Sequence, residues 1–321
     1  MRAIVVEKAG NPDVLHLTNI PMPQPREGWV LIKVRAFGLN RSEMFTRQGH
    51  SPSVQFPRVL GIECAGEVVS APNTRFIQGQ KVVAMMGEMG RAYDGGYAEY
   101  TLVPEAQCFA INTDLDWSII GAIPEMFQTA YGSLNDGLML QSGQTLLIRG
   151  GTSSVGLTAC VLAKEMGATV ISTTRNPDKA QFLTENGADH VLIDDGTLTP
   201  KVRAIYPDGV NAVLELVGTT TLIDSLFCTA RQGVVCFTGI LGNSWVMKDF
   251  SPFDMPVSVR LCMYSGDAHN ISEPILQRYI DRIANGQTRI SIDRIFTMEQ
   301  IVEAHEYMES NKATGKLVIV I

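Results

Sequence analysis

The chain has 321 residues, of which 45% are hydrophobic and 18% charged, with a formal net charge of −7. That length holds one large domain or two ordinary ones, with apolar material for two cores. The acidic balance, without a basic cluster, argues against nucleic acid and anionic membranes as partners, and no uninterrupted apolar run reaches the ~18 residues needed to span a bilayer. The N-terminal "MRAIVVEKAG" lacks the long apolar stretch of a secretion signal. Six cysteines are dispersed, none closer than eight residues to the next. This pattern predicts reduced, buried thiols in a cytoplasmic protein and offers no zinc spacing.

In chain order, residues 1 to about 122 read as strands and loops. "AIVVE", "WVLIKVRAFG", "GIECAGEVVS", "KVVAMMG" and "YAEYTLV" are rich in β-branched residues and punctuated by Gly, Pro and Asn, and "PMPQPREG" is a loop. From about 124 the rhythm changes. Strand-like "TLLIR" precedes helix-like 155–166, "ATVIST" precedes the helix-like "PDKAQFLTENG", and "HVLID" precedes a short helix-like stretch near 199–205. "NAVLELV", helix-like 219–231 and strand-like "GVVCFTGI" follow. Apolar strands alternating with helices predict a parallel sheet covered on both faces. Helix-like 273–285, strand-like "RISIDRIF", helix-like 298–310 and a final strand "KLVIVI" complete the chain.

The run "RGGTSSVG" at 149–156 lies between a strand and a helix. A nucleophile elbow needs G-x-S-x-G, and Val155 occupies its last position. A phosphate P-loop needs a lysine that is absent here. In a dinucleotide turn, G-x-G-x-x-G, Gly151 and Gly156 fit the outer glycines and Ser153 stands in the middle, with Thr152, Ser154 and Val155 between. A strand–turn–helix context puts backbone N–H groups and the positive helix end where a pyrophosphate would sit. About twenty residues on, where an NAD site wants an acidic side chain, the chain reads "STTRNPDK". Thr174, Arg175 and Lys179 suit a 2′-phosphate, so NADPH is favoured over NADH. The plainer reading of these charges is a solvated loop pair.

The run "GLNRSEMFTRQG" (38–49), "FPRVLGIECAGEVV" (56–69), "GGYAEY" (95–100), "PEMFQTAYGSL" (124–134), "ELVGTTTLIDSL" and "ATGKLVIVI" resemble the zinc-independent quinone oxidoreductases, the zeta-crystallin type of the medium-chain dehydrogenase/reductase superfamily, over the whole chain. The resemblance implies an α/β protein. A GroES-like, mostly β catalytic domain (1–123 and 268–321) would be interrupted by a Rossmann doubly wound parallel sheet (124–267) that binds NADP, with the cofactor between the two. Zinc-using relatives carry cysteine at the position of Asn40 and histidine at that of Ile62, so no metal is expected.

With neither zinc nor a flavin motif, the expected reaction is direct hydride transfer from NADPH to a quinone. The alternatives are an enone, alkenal or enoyl-thioester reductase, and, in a different class, an NADPH-binding structural or RNA-binding protein with little turnover. The resemblance puts Asn40 near both the cofactor and the reacting oxygen, as a hydrogen-bond donor; capping of helix-like 41–47 is its structural alternative. Tyr264 is a candidate proton donor. The resemblance also sets Thr129 and the 239–242 turn, with Gly239 and Leu241, by the nicotinamide half. Phe45, Phe127, Trp245 and Tyr264 are candidates for an aromatic wall, with burial in the core as the plainer reading of the two phenylalanines. Arg47 is expected to pair with Glu43 at i+4 spacing. "GVVCFTGI" is expected to end the sheet, and the apolar "WVMKDFSPFDMPV" after it to join two copies into a homodimer.

Overall fold

The computed structural model describes residues 1–321, which form two compact units, Met1–Gln128 with Gly266–Ile321, and Thr129–Ser265. The boundary falls inside a helix, so the chain passes from one unit to the other without a linker.

The first unit begins with β1 (Arg2–Val6), β2 (Leu15–Asn19), β3 (Trp29–Leu39) and the short helix α1 (Arg41–Arg47). Next come β4 (Arg58–Val59), β5 (Glu63–Ser70), β6 (Lys81–Met85), β7 (Tyr100–Pro104), β8 (Cys108–Ala110) and α2 (Trp117–Ile120). Helix α3 (Pro124–Gly132) crosses the boundary.

The second unit continues with β9 (Thr145–Arg149), α4 (Ser154–Glu165), β10 (Thr169–Thr174), α5 (Ala180–Glu185) and β11 (His190–Ile193). It is completed by α6 (Thr199–Ile205), β12 (Val210–Glu215), α7 (Leu222–Cys228), β13 (Thr229–Phe237) and β14 (Arg260–Met263). The chain then returns to the first unit through α8 (Glu273–Ala284), β15 (Ile292–Thr297), α9 (Ile301–Glu309) and β16 (Lys316–Val320).

The second unit is a six-stranded parallel sheet in the order β11-β10-β9-β12-β13-β14. The order reverses beside β9, which makes the carboxyl ends of β9 and β12 the switch point where such sheets bind ligands. The central strand β9 is buried at every position, which is why "TLLIR" reads as an apolar run rather than an alternation. Leu147, Ile171, Val213 and Val235 pack on Val202, Leu222 and Leu226 of α6 and α7. The first unit holds a seven-stranded sheet, mostly antiparallel, in which β16 closes against β3. This is the GroES-like plus Rossmann α/β architecture that the strand rhythm and the resemblance implied.

Two expectations are corrected. "GVVCFTGI" does not end the sheet: β13 lies between β12 and β14, and the edge is Arg260–Met263, a four-residue strand too short and too mixed to stand out in the sequence. The helix expected over 219–231 stops at Cys228, because Thr229 begins β13 against Val210.

Candidate functional site

Two clusters carry the site residues, one in each unit. In the second unit, the turn after β9 is shaped by close approach. A Cβ on Gly151 would lie 1.9 Å from Ser172 Oγ, and one on Gly156 2.5 Å from the Gly150 carbonyl oxygen, so backbone excludes a side chain at Gly156 and the Ser172 hydroxyl would have to move for one at Gly151. Ser153, in the middle position, has extended backbone and caps α4: its Oγ accepts from Gly156 N at 3.1 Å and donates to the Gly150 carbonyl at 2.8 Å. A middle glycine is therefore not required here. Ser154 and Val155 open the helix, where first-turn amides lack a carbonyl partner within the helix and face outward with the positive helix end. Gly150 N donates to Thr173 Oγ1 (3.1 Å) and Gly151 N to the Thr173 carbonyl (3.0 Å), fixing the turn to the end of β10.

Beyond β10, Thr174 is buried and its hydroxyl is held in a local turn with the Asn176 backbone. Arg175 is exposed, and Lys179 ends the short turn that Asn176 caps. The 239–242 turn lies beside the glycine turn: a Cβ on Gly150 would meet Leu241 Cδ1 at 3.0 Å, and Gly239 fits against the Leu216 backbone. Thr129 accepts, through its carbonyl, from Ser133 Oγ at 2.7 Å, and Ser133 Oγ lies 3.0 Å from Thr238 Oγ1. Tyr264 is 8% exposed, and its hydroxyl packs where a Cβ on Gly132 would be, against α3.

The last residue of β9, missed in the sequence reading, anchors the carboxyl end of this central strand. Arg149 is fully buried; its guanidinium forks onto Asp194 at 2.8 and 2.9 Å and reaches Asp224 at 2.8 Å. Asp194 is thus an ion-pair partner of Arg149. The one available signal was an arginine ending an otherwise apolar central strand.

In the first unit, Asn40 meets a buried ionic network. Pairing of β16 with β3 sets Leu317 opposite Leu39, which carries Lys316 to Asn40, 276 positions away. Lys316 Nζ lies 2.7 Å from Glu63 Oε1 and 3.4 Å from Glu125 Oε2, and it donates to Asn40 Oδ1. Gly38 leaves the room: a Cβ there would lie 2.2 Å from Lys316 Cε and 2.4 Å from Glu63 Oε1. Asn40 Nδ2 donates to Glu63 Oε1 (2.9 Å) and Glu43 Oε1 (3.2 Å). Both amide protons are thus committed within the protein, and the side chain is 7% exposed. Glu63 Oε2 also accepts from Glu125 N at 2.7 Å, so this carboxylate caps the start of α3. Burial opposes the Lys316 charge, but Glu63 and Glu125 outweigh it and hold the ammonium above the ordinary lysine value. Glu43 accepts from Ile62 N (3.0 Å) and Asn40 N (3.1 Å), closing the start of α1 on itself. Burial, with the Glu63 charge adding, pushes its carboxyl up to about 7.

Arg47 does not pair with Glu43. It is fully buried, bonds to Glu309 on α9, and donates to the Gly10 carbonyl at 2.6 Å, because α1 turns its last residue toward the C-terminal helix. Phe127 is core and stacks on Tyr279 with centroids 4.4 Å apart, and Phe45 is likewise buried; Trp245 is 46% exposed. Ile62 puts hydrocarbon where zinc-using relatives carry a ligand, and the Asn40 oxygen is taken by Lys316, so these side chains do not fit a catalytic zinc. No group of three or more His, Cys, Asp or Glu is arranged to hold a metal ion. No helix is long and apolar enough to cross a membrane.

Two family models match. An alcohol dehydrogenase GroES-like domain covers residues 26–113 and a zinc-binding dehydrogenase domain covers residues 186–319. The chain is 26% identical to proteins named quinone oxidoreductase from Lama guanicoe and from Homo sapiens, in each case over 100% of this chain and 98% of the relative. A solved structure of mycobacterial Rv1454c complexed with NADPH is 27% identical, with a TM-score of 0.88 over 100% of both chains. The two domain matches, on either side of residues 114–185, the full-length relatives and the shared fold make the chain similar throughout its length to medium-chain dehydrogenase/reductase proteins.

Proposed function

We propose that this protein is an NADPH-dependent oxidoreductase that reduces quinones without zinc or flavin. The observation that carries the reading is the glycine turn at the switch point of the second unit's sheet. There a Cβ-free passage at Gly151 and Gly156 opens directly into the first turn of α4. That turn fits a pyrophosphate: first-turn amides and the helix dipole favour two negative phosphates. Arg175 and Lys179 follow on the strand end that reads the ribose, and two cations there suit a 2′-phosphate better than a bare hydroxyl. Full-length relatives named quinone oxidoreductase, and a like-folded protein solved with NADPH, support the same assignment.

When bound, NADPH supplies a hydride from C4 of its nicotinamide. The protein's residues bind and orient. Ser153 and Gly156 hold the helix start in shape, Thr174 orders the turn that presents Arg175, and Gly239 and Leu241 flank the glycine turn. Asn40, with its donors committed to Glu43 and Glu63, acts as a positioning residue that ties α1, β5 and Lys316 together. Without a Lewis acid, the reaction is restricted to acceptors that already stabilise added charge. Quinones meet that condition, and activated enones are the second reading on the same fold.

The active form in this reading is a homodimer. β14 is a sheet edge, and along the segment that leads into it and in the strand itself Trp245, Val246, Phe253, Val257 and Met263 are exposed, the last four at 69–98%. An unpaired strand beside an apolar surface is covered in stable proteins, and a second copy supplies an identical edge.

The test is NADPH oxidation against a panel of quinones, enones and simple alcohol–aldehyde pairs, with C4-deuterated cofactor. Quinone turnover with deuterium lost from the cofactor, in metal-free and flavin-free protein, is the expected result. Efficient turnover of simple alcohols, or no NADPH binding, overturns the reading.

A further inference from the structure

Two cysteines face one another in the second unit. β13 and β14 run parallel, and their register sets Cys236 beside Cys262. Neighbouring strands lie about 4.8 Å apart, within the Cα span of about 4.4–6.8 Å that a disulfide bridges. Both sulfurs reach the same residue: a Cβ on Gly137 would lie 2.5 Å from Cys236 Sγ. Cys262 Sγ also lies 3.2 Å from the Gly137 carbonyl oxygen, and Cys236 Sγ 3.5 Å from Thr238 Oγ1. The remaining four cysteines are buried apart from this pair, and Cys262 alone of the six is not fully buried. The neighbouring Cys236 sulfur, with Arg260 nearby, holds the Cys262 thiol below its ordinary value, whereas the other five thiols are pushed up. Thiolate character and access together decide which cysteine an oxidant attacks.

We propose that Cys236 and Cys262 form an oxidation site, at which a hydroperoxide converts the pair into an intramolecular disulfide that a small thiol reopens. The Cys262 sulfur attacks the peroxide oxygen. The O–O bond breaks, and the leaving oxygen departs as water or alcohol, leaving a sulfenic acid on Cys262. The Cys236 sulfur then displaces the hydroxyl: the S–S bond forms, the S–O bond breaks, and the Cys236 proton leaves with the hydroxide as water. The two sulfurs together lose an electron pair, which reduces the peroxide. Directly opposed parallel residues keep their Cβ atoms near the strand spacing, wider than the ~3.8 Å a relaxed disulfide prefers. The bond is therefore strained and easily reduced, as regulatory disulfides are.

The experiment treats the reduced full-length protein with hydrogen peroxide at neutral pH, blocks the remaining thiols, digests it and maps the cysteines by mass spectrometry. The expected product is a cross-linked peptide pair joining Cys236 to Cys262, which dithiothreitol returns to free thiols. Cys236→Ser should instead accumulate a dimedone-trapped sulfenic acid on Cys262, and Cys262→Ser should give neither product. First oxidation at any of the other four cysteines, or oxidised Cys262 without a cross-link in the wild-type protein, overturns the proposal. The wild-type mapping stands by itself should either variant fold poorly.

Discussion

Lys316 Nζ and Glu63 Oε1 lie 2.7 Å apart with both side chains at 0% exposure, and the pair ties the last strand to the start of α3 through Glu125 N. Removing one partner leaves the other charge buried and unpaired, at a cost of about 3–5 kcal/mol. Lys316→Met should therefore destabilise strongly in urea unfolding. Lys316→Met combined with Glu63→Gln should cost markedly less than the sum of the two single changes, since the sites share one interaction. Simple additivity would show that the two side chains are not coupled.

Glu43 gives the stability a pH dependence of definite sign. Its folded carboxyl titrates at about 7 against an ordinary value of 4.5, so the folded state holds the proton more tightly than the unfolded state. The contribution is fully present below the unfolded value and is lost as pH rises through 7, at up to about 1.4 kcal/mol per pH unit between the two values. Unfolding free energy measured from pH 5 to 8 should fall with a slope that Glu43→Gln removes. The variant should also start lower at pH 5, by about 1–3 kcal/mol, because its amide faces the Asn40 N–H. An unchanged slope in the variant would assign the titration to another group.

Cofactor choice is read at Arg175 and Lys179. Charge-assisted hydrogen bonds to a phosphate are worth roughly 1.5–3 kcal/mol each. Changing both to alanine should raise the KM for NADPH at least about tenfold and leave NADH nearly unaffected. A wild-type preference for NADH would remove the phosphate assignment.

Assembly is read at β14. Light scattering at micromolar concentration should give twice the 35.1 kDa chain mass. Leu261→Lys with Met263→Glu should shift it toward the monomer, because both residues lie on the exposed edge strand. A wild-type monomer would rule out the dimer.

The features legible along the chain are local and periodic. The apolar run of β9, the Gly151–Gly156 turn and the helix after it are legible because a buried parallel strand, a close backbone approach and a helix start each demand particular residues within a few positions of each other. The change of rhythm near 124 announced the second unit for the same reason. The rest follows from contacts between distant segments. Lys316 meets Asn40 across 276 positions because β16 pairs with β3, and no local pattern encodes that pairing. Arg47 turned from Glu43, four residues away, to Glu309, because which face of α1 is buried depends on where α9 packs. β14 escaped notice because four residues at a sheet edge carry no periodicity of their own, and pairing with β13 alone makes them a strand. Spacing along the chain governs helix starts and turns, whereas ion pairs and sheet edges depend on contacts between segments distant in sequence.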